Sequence, residues 1–158
     1  MIYNFLLGNL HACYMSMRII LEACVDAAIA SIRFYDFSFP SNLEHLRRVE
    51  QKQKLSFIDK CEIFLPAQIE EETIKSIKKL WHYLSEYWVH AKGIVKKIDE
   101  NFVKKVAKPM PPMWSLALPY TYDERDIDDI KEFTNKLNNL KKIVENLLKP
   151  FSKTKNLT

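Results

Sequence analysis

The chain has 158 residues, 47% of them hydrophobic, which suits one domain with a sizeable core and is too long for a stapled miniprotein. Its 24 Lys plus Arg against 20 Asp plus Glu leave a net charge of +4, too mild to mark the whole molecule as a polycation. Three cysteines, odd in number and without a C-x-x-C pair, argue against a disulfide framework or a zinc knuckle and fit a reducing cytoplasm.

Only Gly8 and Gly93 occur, and the prolines cluster at a few places, a pattern of long helices with short breaks. The first helix is expected from about Tyr3 to Tyr35, stopping before Pro40. Its start, MIYNFLLGNL, lacks a basic n-region, and the apolar stretch behind it is broken by Arg18, Glu22 and Asp26. Neither a signal peptide nor a membrane span is expected. Because the helix is apolar over most of its circumference, it should be the most buried member.

Ser41 with Glu44 suggests a capping box for a second helix over 42–64, ended by Pro66. A third helix should cover 68–106. Ile77, Leu80, Trp81 and Leu84 lie on one arc of it, and Lys75, Lys78 and Lys79 on the opposite one. From Lys75 to Lys108 nine lysines face three acids, whereas from Asp123 to Glu132 six acids face two bases. Partial neutralisation between these faces is the plainer explanation, and a basic face for nucleic acid the sharper one.

The segment KPMPPMWSLALPY cannot be regular helix, because Pro109, Pro111, Pro112 and Pro119 remove donors and fix φ. Its Met110, Met113, Trp114, Leu116 and Leu118 need cover, from the end of the same bundle or from a second copy, and a homodimer is the expectation. Thr121 with Glu124 forms a second capping box, opening a fourth helix that ends near Lys149 and Pro150. Its seam is Ile127, Ile130, Phe133, Leu137, Leu140, Val144, Leu147 and Phe151. The fold expected is all-α, a four-helix up-and-down bundle forming one domain over residues 1–158.

Polar groups on apolar helices are the candidates for chemistry. At 100° per residue, His11, Arg18, Glu22, Asp26 and Arg33 share less than a quarter of the first helix's circumference, with Met15 and Ile29. The stripe is either a solvated edge with i,i+4 pairs or an inward polar site in which each charge needs a partner. Arg18 and Glu22 are expected to pair, and Asp26 to meet nearby bases. His82, Glu86 and His90 have an HxxxExxxH spacing that invites a metal. Helical phase opposes it, placing His82 and Glu86 on the lysine face and only His90 at the core edge, and no Glu-x-x-His pair repeats on a second helix.

MRIILEACVDAA near the start and LSEYWVHA later resemble a pattern in prokaryotic helical proteins of the HEPN type, which pair an Arg-x-x-x-Glu-like helix with a Leu-Ser-x-x-x-x-His helix. The resemblance covers about two of the four helices and implies a polar cluster of Arg18, Glu22, Ser85 and His90. HEPN ribonucleases carry Arg, four to six residues, then His, the cation stabilising phosphate charge and the His acting as acid or base. Here Tyr83, Leu84 and Ser85 stand where that arginine would precede His90, and Lys75, Ser76 and Ile77 where it would precede His82.

The function expected is a non-catalytic binding or protein-interaction module, homodimeric, cytoplasmic, without cofactor or metal and without a membrane partner. The alternatives are a HEPN-like RNA-binding protein or ribonuclease built around Arg18 and His90, and, third, a metal-binding bundle. Arg18, Glu22, Asp26, Ser85, Glu86 and His90 form the candidate polar cluster.

Overall fold

The computed structural model describes residues 1, 10–33, 38–88 and 124–152. Their regular elements are all helices: α1 (Leu10–Arg33), α2 (Phe39–Gln53), α3 (Phe57–Phe64), α4 (Glu71–Trp88), a 3-10 turn (Glu124–Asp126) and α5 (Ile127–Ser152). The all-α class therefore holds for the described residues. The proline-rich segment 109–120, residue His90 and the lysines beyond Lys79 in the basic tract lie outside them.

The expected second helix over 42–64 is two helices. α2 begins earlier, at Phe39, because Pro40 occupies the first turn, where a missing N–H costs nothing. Ser38, in extended conformation, accepts from the Asn42 amide at 3.0 Å, so the start depends on Ser38 and not on a Ser41–Glu44 box. α2 stops at Lys54, which is left-handed with φ 52°, while the Leu55 amide returns to the Glu50 carbonyl at 3.2 Å. Ser56 then caps α3. Its hydroxyl accepts from the Asp59 amide at 3.2 Å, and the Asp59 carboxylate accepts from the Ser56 amide at 2.8 Å. The Ser56 hydroxyl and amide hold the Asp59 carboxyl below its ordinary pKa.

α4 begins after Glu70, whose carbonyl accepts from Thr73 and Ile74, and Glu71 and Glu72 in its first turn suit the helix dipole. α5 runs through Pro150 to Ser152 instead of ending before it. With only the last turn affected, the proline removes one backbone bond and leaves the helix standing. Ile127 is half-exposed, so the α5 seam starts lower, at Phe133, and Ile143 joins Leu140 and Leu147 in the core.

The chain divides into two compact units: residues 1–18 with 82–137, and 19–81 with 138–158. In the first, Tyr14 packs edge-on against Phe133 at 5.4 Å and Tyr83 at 6.0 Å, and the Tyr83 hydroxyl donates to Glu132 at 2.8 Å. Burial, followed by the Tyr83 hydroxyl beside it, pushes the Tyr14 phenol well above its ordinary pKa. Lys136 lies 3.8 Å over the Tyr83 ring. In the second, Leu21, Val25, Leu46, Leu65, Ile77 and Leu80 form the interior with Ile143 and Leu147. Asn146 donates to Thr73 at 3.0 Å, fastening α5 to α4.

α1 does bury many side chains, among them Met17, Leu21, Val25 and Ile29, but it is not covered all round. Met15, Ile19, Ile20 and Ala23 are exposed, Ile19 at 64% and Ile20 at 37%.

Candidate functional site

The inward polar groups of the second unit converge on one lysine. Asp26 Oδ1 of α1 accepts from Lys60 Nζ of α3 at 2.6 Å, and Glu50 of α2 pairs with the same ammonium. The Lys60 side chain is 10% exposed, Glu50 21% and Asp26 33%. The break at Lys54 makes this possible. In one continuous helix the ten residues from Glu50 to Lys60 would span about 15 Å, beyond ion-pair reach. The left-handed lysine and the Ser56 cap redirect the chain, so that both side chains reach the same face of α1.

Beside this triad, Glu22 Oε1 accepts from Trp81 Nε1 at 2.9 Å, and Trp81 stacks on Phe57 with centroids 5.3 Å apart and planes 13° from parallel. Lys60 Nζ lies 5.8 Å from the same Phe57 ring. Indole and ammonium thus supply the donors that the two α1 carboxylates need in a partly dry setting.

Electrostatics fix the protonation states. Two carboxylates share one ammonium, which leaves the cluster one excess negative charge. Burial raises the Asp26 pKa above its ordinary value, with Glu50 and Glu22 adding to the rise and Lys60 opposing it. For Lys60, burial works against the charge, but hydrogen bonds to Asp26 and Glu50 outweigh it and raise the pKa above the ordinary 10.5. An ammonium held in this way is not a nucleophile or a Schiff-base former. Burial pushes the neighbouring Cys61 thiol up to about 12, and burial also raises Cys13 and Cys24. All three cysteines are free thiols, not thiolates, at neutral pH.

The sequence-derived residues separate into two sets. Glu22 and Asp26 belong to the unit containing the triad, and Arg18, Ser85 and Glu86 to the other. Arg18 is half-buried, Ser85 is buried with its Oγ unpartnered, and Glu86 and His82 are exposed, as the helical phase of α4 required. His90, the group on which a ribonuclease depends, is outside the described residues. His11 is half-buried, while Arg33 is exposed, donating to the Ile63 carbonyl at 3.4 Å and lying 5.9 Å over Phe64. Of the stripe's charged and imidazole groups, His11, Arg18, Glu22 and Asp26 are half-buried and Arg33 is exposed, while Met15, Ile19, Ile20 and Ala23 give α1 an exposed apolar surface.

Sequence reasoning missed Lys60, Glu50 and Trp81. A signal for Lys60 was present: in FIDKCEIF it stands with Phe57, Cys61 and Phe64 at i, i+3, i+4 and i+7, a charge at a core-phase position.

Among the described residues no group of three His, Cys, Asp or Glu is placed to hold a metal, and no helix is long and apolar enough to cross a membrane. Two surface cavities lie elsewhere, one of about 280 Å³ lined by Ser41, Glu44, His45 and Arg48, the other of about 330 Å³ at Gln68, Thr73, Asn146 and Lys149. No protein-family model, curated protein or solved structure matches the chain.

Proposed function

We propose that the protein is a non-catalytic interaction module that presents the apolar sector of α1 to a protein surface, in the first instance that of a second copy. The observation that carries this reading is the exposure of Ile19, Ile20 and Ala23 on a helix whose Glu22 and Asp26 have internal partners. Exposed apolar surface of this kind marks association, and a polar shoulder beside it keeps the isolated chain in solution. The protonated Lys60 and the un-ionised cysteines support the absence of covalent chemistry. The scaffold that fits is a four-helix up-and-down bundle with α2 and α3 as one broken member, in the cytoplasm, where free thiols persist.

Light scattering tests the reading. The wild type should have the mass of a dimer at micromolar concentration. Ile19→Glu should be monomeric with unchanged far-UV circular dichroism, since Ile19 contributes little to the core. A wild type that stays monomeric at high concentration contradicts self-association through α1.

A further inference from the structure

α2 contributes only Asn42 and Leu46 to the buried interior. Its outer surface from Ser41 to Lys54 is wholly polar, with Ser41, Glu44, His45, Arg47, Arg48, Gln51, Lys52, Gln53 and Lys54 exposed. In sequence, two acids temper the four cations of this stretch. In the fold, Glu50 is turned inward to Lys60. What faces outward is therefore four cations against Glu44 alone, which pairs with Arg48 at 2.6 Å. Arg47, Lys52 and Lys54 make no ion pair among the described residues.

The arrangement has two rows. At 100° per residue, Arg47 falls on one flank of the helix and Arg48 and Lys52 on the other, roughly 120° away across the arc, while the left-handed Lys54 follows the last turn out of helical phase. Gln51 lies between them as a neutral hydrogen-bond donor. Lys54 carries a second signal. It occupies a left-handed position, φ 52°, where glycine or asparagine would sit without strain, yet the residue there is a long cation pointing into solvent.

We infer that α2 is a docking helix for duplex DNA, gripping the two phosphate rows that border a major groove. A 15-residue helix spans about 22 Å, and the B-form major groove, about 12 Å wide, admits an α-helix. Flanking cations meet phosphates, and Gln51, Ser41 and His45 supply donors for backbone oxygens and base edges. The deep, narrow major groove of duplex RNA does not admit the helix. A membrane surface fits less well, because no exposed side chain from Ser41 to Lys54 is apolar and α2 offers only Phe39 and Pro40, in its first turn. The surface is separate from the apolar sector of α1, and the inference does not depend on self-association.

Fluorescence anisotropy with a labelled 20-base-pair DNA duplex tests it on the full chain. The triple variant Arg47→Gln, Lys52→Gln, Lys54→Gln should bind at least tenfold more weakly, with the slope of log K against log[salt] reduced by about 2 to 3, near 0.9 for each lost phosphate contact. Glu44→Gln, which releases Arg48, should bind several-fold more tightly, a change that a folding defect does not produce. Ile19→Glu should bind DNA like the wild type, separating this surface from the proposed dimer face. Wild-type affinity and salt slope in the triple variant overturn the inference. So do equal affinity for an RNA duplex of the same length, and binding to phosphatidylserine vesicles without binding to DNA.

Discussion

Lys60 and Lys75 each pair with a glutamate, but in opposite surroundings. The Lys75–Glu71 pair bridges one turn of α4 at 2.8 Å with side chains 67% and 82% exposed. Lys60 has most of its length covered and joins residues from three helices. Around Lys75 water competes for both charges, so the pair decorates a helix that Glu70 has already capped. Around Lys60 water is largely absent, and the helix break, the Ser56 cap and the approach of α1 all have to agree before the ammonium is satisfied. The exposed pair is a consequence of the fold, while the covered one is a condition for it.

The largest expected effect is at the covered lysine. Lys60→Met leaves Asp26 and Glu50 facing each other without a counter-charge and should lower unfolding stability by about 3 kcal/mol, the lower end for a broken buried pair because both carboxylates keep some contact with water. Adding Asp26→Asn and Glu50→Gln should restore most of the loss, since a neutral cluster of similar shape needs no counter-ion. Denaturant titration of the wild type, Lys60→Met and the triple variant measures both steps. If Lys60→Met is as stable as the wild type, the distinction between the two lysines collapses.

Asp26→Asn alone should be milder, within about 1 kcal/mol at neutral pH, because it removes the excess negative charge while Lys60 keeps Glu50. Its pH dependence is the sharper test. The folded pKa of Asp26 is raised above its ordinary 3.8, so the folded state takes up this proton first. Asp26 therefore costs stability at neutral pH, and that cost is relieved as pH falls through its folded value towards 3.8. Across this window the wild type should gain stability relative to Asp26→Asn, measured as the difference between their thermal midpoints. For Lys60 the sign is opposite in effect: its contribution is complete below 10.5 and is lost as pH rises through its higher folded value. The smallest effect should be Lys75→Ala, with no measurable change in midpoint.

The sequence was informative about helices and less so about their ends and orientation. Scarce glycine, clustered proline and three- to four-residue apolar spacing identified the helical segments, and the phase of α4 correctly put Lys75 and Lys79 outside. The single helix expected over 42–64 failed because two good helix formers, Lys52 and Lys54, conceal a stop. Lys54 turns left-handed despite its side chain, and the Ser56–Asp59 box then restarts the chain as a separate helix. On α1, periodicity put the charges in one sector but could not say which sector meets water. That depends on what packs alongside, and Lys60 and Trp81 draw Asp26 and Glu22 onto the shoulder, leaving Ile19 and Ile20 outermost.

Lys60 is a covered, charged structural node and not a reactive amine. Competitive acylation of the native protein at pH 8, followed by mass spectrometry of each lysine, measures this directly. Lys60 should react far more slowly than the exposed Lys52, Lys54 and Lys75, and like them once the chain is unfolded in denaturant. Native Lys60 labelling as fast as those three, or faster, would show an accessible neutral amine in place of a covered ammonium.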